Sequence, residues 1–356
     1  MENVQDEQSQ VQEEQTEWVS GAAVERRLDL PLPAIDDKVV QGRDGWLFLA
    51  NDSNDTLAQH AGENLLTDLQ VQQWHDLLEW RSAWLNLQGI PYVFMIAPDP
   101  HAVYSDFLPE GFVQGKTRPV LQVLDHLQER GSWAPVLYPL SALMDARDEL
   151  VYPKTGSHWS EYGAFIGYRA LMARITESLP VRRLTPREIH LSFERRAGDL
   201  GRKFDPPIVS RYVYVDVIEP KARLVHDNRI RNHGRLVEFE ADVYNELTCL
   251  VFGDSYAVRL MPLIAEAFHK SYWAHAYFDY ELIRELQPDV VVSVVSVRGM
   301  IIVQSDTEPG LRRLEAHKRE TGDVMAPRAS KSLRINSRRM SHAPSAVAAD
   351  GAQPGS

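Results

Sequence analysis

Val251-Phe252-Gly253-Asp254-Ser255-Tyr256 joins an apolar run to a Gly-Asp-Ser turn. The run starts at Leu247, and with Cys249 and Leu250 it predicts a strand buried on both faces, as in a parallel sheet. A glycine before the serine lets the backbone turn sharply and present a hydroxyl at the strand's C-terminal end, where open α/β sheets collect their functional groups. Ser255 is therefore the first candidate nucleophile. The competing reading is an ordinary turn and helix N-cap, and what separates the two is a base elsewhere in the chain.

Working outward from that strand, the chain alternates strand and helix. Val71, Trp74, Leu77, Leu78, Trp84 and Leu87 recur at near-helical spacing, which predicts a helix over Leu69 to Leu87, ended by Gly89. Pro91 to Ile96 predicts a buried strand, and Ala97-Pro98-Asp99-Pro100-His101 a loop at its C-terminal end. Further helices are expected over Val120 to Leu127, over Leu140 to Leu150, and from a Ser160 cap to about Leu179, with a strand at Pro135 to Tyr138. Beyond the opening strand come helices over Ala257 to Phe268 and Asp279 to Leu286, then a strand at Val290 to Val297. Such alternation specifies an α/β fold with a mainly parallel sheet flanked by helices. Period-two alternation over Arg211 to Ile218 and Leu236 to Ala241 places a small antiparallel β insertion at about 190–247. The α/β domain is expected over 35–303, between a disordered acidic extension at 1–34 and a disordered basic tail at 304–356 that carries Arg328, Lys331, Arg334, Arg338 and Arg339.

A chain of 356 residues with 44% hydrophobic content can bury a substantial core. Its net charge of -12 argues against general nucleic-acid binding, which needs a basic face toward phosphate. The single cysteine, Cys249, makes no internal disulfide and is a poor start for a metal site, so neither a metal nor a cofactor is expected. The acidic, glutamine-rich start has neither the basic nor the apolar region of a signal peptide, and no uncharged run is long enough to span a bilayer. As it stands, the sequence reads as cytoplasmic.

The second half of a site lies in the loop Tyr152-Pro153-Lys154-Thr155-Gly156-Ser157-His158-Trp159. His158 is a candidate general base, because the imidazole changes charge near neutral pH. Read with Gly-Asp-Ser, it completes an ordered set of blocks: Gly42 to Phe48, Ile96 to Tyr104, Tyr138-Pro139-Leu140, Tyr152 to Trp159 with Gly163-Ala164, Gly198-Asp199-Leu200, and Phe252 to Tyr256. In this order the chain resembles the SGNH-like acetyltransferases of alginate and related polysaccharide O-acetylation over most of residues 40–303.

The resemblance implies an SGNH-hydrolase, flavodoxin-like core in which Ser255 accepts an acetyl group and passes it to a sugar hydroxyl, with His158 as base. Gly253, Asp254, Arg298, His101 and Trp159 are candidates for oxyanion or substrate contacts. Helix capping is the other reading for Asp254, an ion pair for Arg298, a surface role for His101, and core packing for Trp159 and Trp46. It also implies a membrane-bound O-acyltransferase partner and a periplasmic location, against the cytoplasmic reading of the N-terminus. The family carries Asp-x-His-Trp, where this chain has Gly156-Ser157-His158-Trp159. Loss of the orienting aspartate from a serine triad costs about four orders of magnitude in turnover. Another acid, a backbone carbonyl or water could substitute for it, and Asp99 and Asp279 are candidate rescuers. A catalytically impaired protein that binds a glycan or a partner is the competing expectation, and a scaffold using its charged ends is a third.

Overall fold

The computed structural model describes residues 37–325. The expected acidic extension therefore lies outside the described residues, as does the tail beyond 325. Strands β1 (Val39–Gln41) and β2 (Leu47–Leu49) pair antiparallel at the start of the domain. The main sheet has seven strands in the order β4-β3-β11-β9-β10-β8-β7, where β3 is Tyr92–Ala97, β4 Val136–Leu137, β7 Ala222–Asp227, β8 Arg235–Ala241, β9 Thr248–Gly253, β10 Lys270–His275 and β11 Val290–Ser296. Pairing is parallel from β4 through β10 and antiparallel where β8 and β7 extend the edge.

The strands divide their side chains between two cores because successive residues point to opposite faces. On β3, Val93, Met95 and Ala97 face one core, with Val251 of β9 and Val292 and Val294 of β11. Helices α6 (Glu161–Ile175) and α7 (Ala257–Ala265) cover it. Tyr92, Phe94 and Ile96 face the other core with Leu250 and Phe252, under α2 (Asp68–Leu87), α4 (Pro119–Glu129) and α8 (Tyr280–Leu286). Thr67 and Gln70 form a capping box that starts α2, and the Ser160 side chain caps α6 by accepting Gly163 N-H.

Several expectations change in detail. Residues 97–101 do not remain a loop: Pro100 opens a short helix, α3 (Pro100–Val103), since its fixed φ suits a first helical turn. The Leu140 helix ends earlier, as α5 (Leu140–Asp145). β10 was not anticipated, because Lys270, Ser271 and His275 break up its apolar pattern, yet it lies between β9 and β8. The antiparallel insertion resolves into two parts. β5 (Ile189–Arg196) and β6 (Ser210–Val217) form their own two-stranded sheet, whereas β7 and β8 join the main one.

Beyond residue 303, where a solvated tail was expected, the described chain continues into α9 (Leu311–Glu320), with Leu311 fully buried. Before it, Asp306 pairs with the buried Arg81 at 2.5 Å. Among the described residues no helix is long and apolar enough to cross a membrane. Helix α1 (Thr56–Ala61) lies beside β2 and contributes His60, which is buried near the strand ends.

Candidate active site

Three neighbouring parallel strands, β3, β11 and β9, end at one edge of the sheet. Asp99 follows β3, Arg298 follows β11, and Ser255 follows β9 through the Gly-Asp-Ser turn. A crevice at the carboxyl ends of such strands is where open α/β sheets place ligands. The loop before α6 crosses this edge and brings His158 to Ser255. The imidazole Nε2 lies 2.7 Å from Ser255 Oγ. Ser255 is exposed, while His158 keeps 22% of its side chain accessible.

The turn is stiff. One Asp254 oxygen accepts the Tyr256 N-H at 2.9 Å and the other accepts the Ser296 N-H at 2.8 Å, tying the serine loop to the end of β11. Asp254 therefore shapes the turn from below, and burial raises its pKa. Gly253 is packed so closely that an added Cβ would come within 2.8 Å of Ala257 Cβ, and its carbonyl accepts from Trp273 Nε1 at 3.2 Å.

Beneath His158 lies a buried layer of Asp99, Tyr256 and Arg298. Arg298 N-H donates to Asp99 Oδ2 at 2.8 Å, and its Nη1 donates to Asp99 Oδ1 at 3.1 Å and to the Ser157 carbonyl at 3.0 Å. The Tyr256 hydroxyl is shared between Asp99 Oδ1 at 2.9 Å and the same carbonyl at 2.8 Å. Burial opposes a charge on Asp99, yet Arg298 and the nearby His60 outweigh it and hold the carboxyl well below the usual range. Arg298 Nη2 remains directed at the site, 3.2 Å from His158 Nε2. Burial and then this guanidinium lower the His158 pKa to about 3, with Asp199 opposing them.

Asp199, which no local sequence pattern links to the site, stands on the other side of the ring. Its Oδ1 accepts Ser157 N-H at 2.9 Å, its Oδ2 accepts the Ser157 hydroxyl, and Ser157 Oγ lies 3.0 Å from His158 Nδ1. Asp99 and Asp279, the two expected substitutes, do other work. Asp99 holds Arg298 and Tyr256, while Asp279 caps α8 through Glu281 and Leu282 N-H and holds Leu311 N-H at 2.8 Å. Gly198-Asp199-Leu200 was visible as a sequence block, but a separation of 42 positions along the chain conceals the proximity of Asp199 to Ser157.

Two of the expected contacts are corrected. His101 is fully buried on α3, its Nε2 2.8 Å from the Leu49 carbonyl, and Trp159 is fully buried with Nε1 donating to the Tyr256 carbonyl at 3.1 Å. Neither side chain reaches the surface, because His101 is stacked on His60 and Trp159 packs edge-on against Tyr256. Trp46 is likewise packed, against Tyr104.

In front of Ser255 and His158 opens a cleft of about 590 Å³, walled on one side by the β5–β6 sheet. Tyr212 and Tyr214 project from one face of β6. Arg196 Nη1 donates to the Tyr214 hydroxyl at 2.8 Å, and Arg259 Nε, from the first turn of α7, donates to the Tyr212 hydroxyl at 2.7 Å. Their period-two spacing was legible, but their partners were not. Chemically, the site offers a serine hydroxyl against a neutral imidazole, a fixed guanidinium, and a half-open cleft with aromatic walls.

A family profile described as "SGNH hydrolase-like domain, acetyltransferase AlgX" matches residues 39–296. No curated protein sequence matches the chain. Among solved structures, Bacillus cereus PatB1 carrying a sulfonyl adduct is similar with a TM-score of 0.58 at 16% identity, covering 76% of this chain and 100% of that one. A second PatB1 structure gives 0.56 at 15% identity, with 76% and 100% covered. The O-acetyltransferase domain of Pseudomonas putida AlgJ gives 0.46 at 17% identity, with 80% and 99% covered. At these identities the PatB1 structures bear on the fold alone.

Proposed function

The chain belongs to the SGNH hydrolase-like AlgX acetyltransferase family, and from that premise we propose that it is a carbohydrate O-acetyltransferase working through an acetyl-Ser255 intermediate. The observation that carries this reading is the 2.7 Å contact between His158 Nε2 and Ser255 Oγ at the mouth of an open cleft. It favours catalysis over a protein that only binds a glycan.

In the first half-reaction His158 Nε2 takes the Ser255 proton as Oγ bonds to the acyl carbon of an ester or thioester donor. The oxyanion formed there collapses, the bond to the donor's leaving group breaks, and the leaving group takes the proton from His158. In the second, His158 takes the proton of a sugar hydroxyl whose oxygen attacks the acetyl carbon, and Ser255 Oγ leaves and regains that proton. The Ser255 N-H, together with the fixed charge of Arg298, supplies the oxyanion's stabilisation, since the neighbouring Asp254 and Tyr256 N-H groups are given to the Val294 carbonyl and the Asp254 carboxylate. Tyr214, half-buried on the cleft wall, offers an aromatic surface to a sugar, with the buried Tyr212 behind it, and Arg202 adds a fork of donors to the same wall. The family resemblance, rather than the geometry, suggests a membrane-bound O-acyltransferase as the source of the acetyl group.

With an acetyl-ester reporter, Ser255→Ala and His158→Ala should each lower turnover about 10³-fold or more. Mass spectrometry should find a +42 Da adduct (about, for one acetyl group) on Ser255 of the wild type under limiting acceptor. A slow rate unchanged by both substitutions would remove the proposal.

A further inference from the structure

We propose that Asp199, acting through the Ser157 hydroxyl, orients His158 in place of the aspartate that the family pattern sets two residues before the histidine. This rests on the reading of Ser255 and His158 as nucleophile and base, and it adds a positioning pair which that reading does not contain.

The direction of each hydrogen bond follows from what its groups can do. Arg298 Nη2 has only protons to offer, and it lies 3.2 Å from His158 Nε2. The Ser255 hydroxyl, 2.7 Å from the same nitrogen, must give up its proton there to become a nucleophile. Nε2 is therefore the acceptor, and the neutral ring carries its proton on Nδ1. That proton points at Ser157 Oγ, 3.0 Å away. The Ser157 hydroxyl is free to accept it because its own proton goes to Asp199 Oδ2. An ionised carboxylate only accepts, so the chain Ser255, His158, Ser157, Asp199 runs one way without conflict.

Asp199 does not reach the ring itself. Its Oδ2 is 3.8 Å from Nδ1, too far for a hydrogen bond but close enough for its charge to act. That charge is needed more here than in an ordinary triad. When His158 takes the serine proton, the imidazolium faces Arg298 at 3.2 Å, and Asp199 is the opposite charge at comparable range. The second contact, from Ser157 N-H to Asp199 Oδ1 at 2.9 Å, fixes the carboxylate so that it need not reorganise during transfer.

Gly156 completes the exchange. A Cβ added there would stand 3.3 Å from Asp199 Oδ1 and 2.8 Å from Pro153 Cγ. The space an aspartate at 156 would use is already held by a carboxylate delivered from residue 199, so glycine at 156 and aspartate at 199 form a complementary pair.

Steady-state kinetics of the full chain, with a melting curve for each variant, test this. Asp199→Asn should lower kcat about 100-fold or more with KM changed less than about threefold, because the variant keeps the shape and loses the charge. Ser157→Ala should lower kcat in the same way. Gly156→Asp alone should reduce turnover, since it sets two carboxylates together. Full kcat in Asp199→Asn, or a higher rate in Gly156→Asp, would overturn the proposal. An activity-independent readout is the Nδ1 proton of His158 in ¹⁵N-histidine NMR, assigned by its absence in His158→Ala. It should move upfield in both Ser157→Ala and Asp199→Asn. A resonance unmoved by either would overturn the relay even in a protein whose Ser255 proves inert, whereas loss of Ser255-dependent activity with the NMR response intact would sink only the acyl-serine reading.

Discussion

His158 stands between opposite charges, Arg298 on its Nε2 side and Asp199 beyond its Nδ1 side, and this sets how the site responds to pH. Burial and Arg298 hold its pKa at about 3, so the imidazole stays neutral at every pH well above that. A depressed histidine pKa moves the acid limb of kcat/KM downward from the usual position. We therefore expect kcat/KM to be flat between about pH 5 and pH 8, where an unperturbed histidine would give a limb near 6.5. A pH-rate profile with its acid limb at that ordinary value would contradict the electrostatics. Of the residues involved, Ser255 and His158 were legible because a strand-end turn and a loop histidine are local patterns. Asp199 was not, because nothing in a one-dimensional pattern says that a second loop lies against Ser157.

At the scale of elements, the decisive contact is between the loop before α6 and the loop between β5 and β6. Gly198 permits it: a Cβ there would meet the Thr155 carbonyl oxygen at 2.1 Å and Gly156 Cα at 2.8 Å. Backbone cannot yield as a flexible side chain would, so any larger residue must push the two loops apart. Thr155 Oγ1 fastens the approach by accepting Gly198 N-H at 3.1 Å, and Gly201 N-H donates to the Thr155 carbonyl at 3.0 Å. Gly198→Ala should displace Asp199 from Ser157, lower kcat toward the level of Asp199→Asn, and destabilise the fold by about 1–3 kcal/mol, the usual cost of overpacking. Kinetics and urea unfolding on the same sample would check both. Wild-type turnover in this variant would mean that the loops have slack that the packing does not suggest. The β5–β6 sheet is held over the cleft from two helices: Arg259 of α7 bonds Tyr212, and Glu161 of α6 accepts the Val215 N-H at 3.1 Å while Val215 enters the core.

For the whole molecule, the segment after β11 is part of the fold rather than an appendage to it. Arg81 of α2 is fully buried; its Nε and Nη2 bond Asp306, its Nη1 bonds Gln304 Oε1 at 3.0 Å, and its guanidinium lies 4.9 Å from the centre of the Phe278 ring. Removing one partner from a buried pair leaves an uncompensated charge, so Asp306→Ala should lower stability by about 3–5 kcal/mol, measured by urea unfolding. A loss of less than about 1 kcal/mol would show that Arg81 finds other solvation. By itself, the sequence determined the layered α/β order, the buried strands β3, β9 and β11, and the serine and histidine as candidates, since each depends on hydrophobic period or on local turn chemistry. It also carried the family resemblance, including the missing aspartate at Gly156. Only the tertiary structure decided that the polar segment at 304–306 neutralises a buried arginine, that His101 and Trp159 are core, and that a carboxylate reaches Ser157 from Asp199. These are contacts between residues far apart in the chain, fixed by how the layers pack and not by any pattern along it.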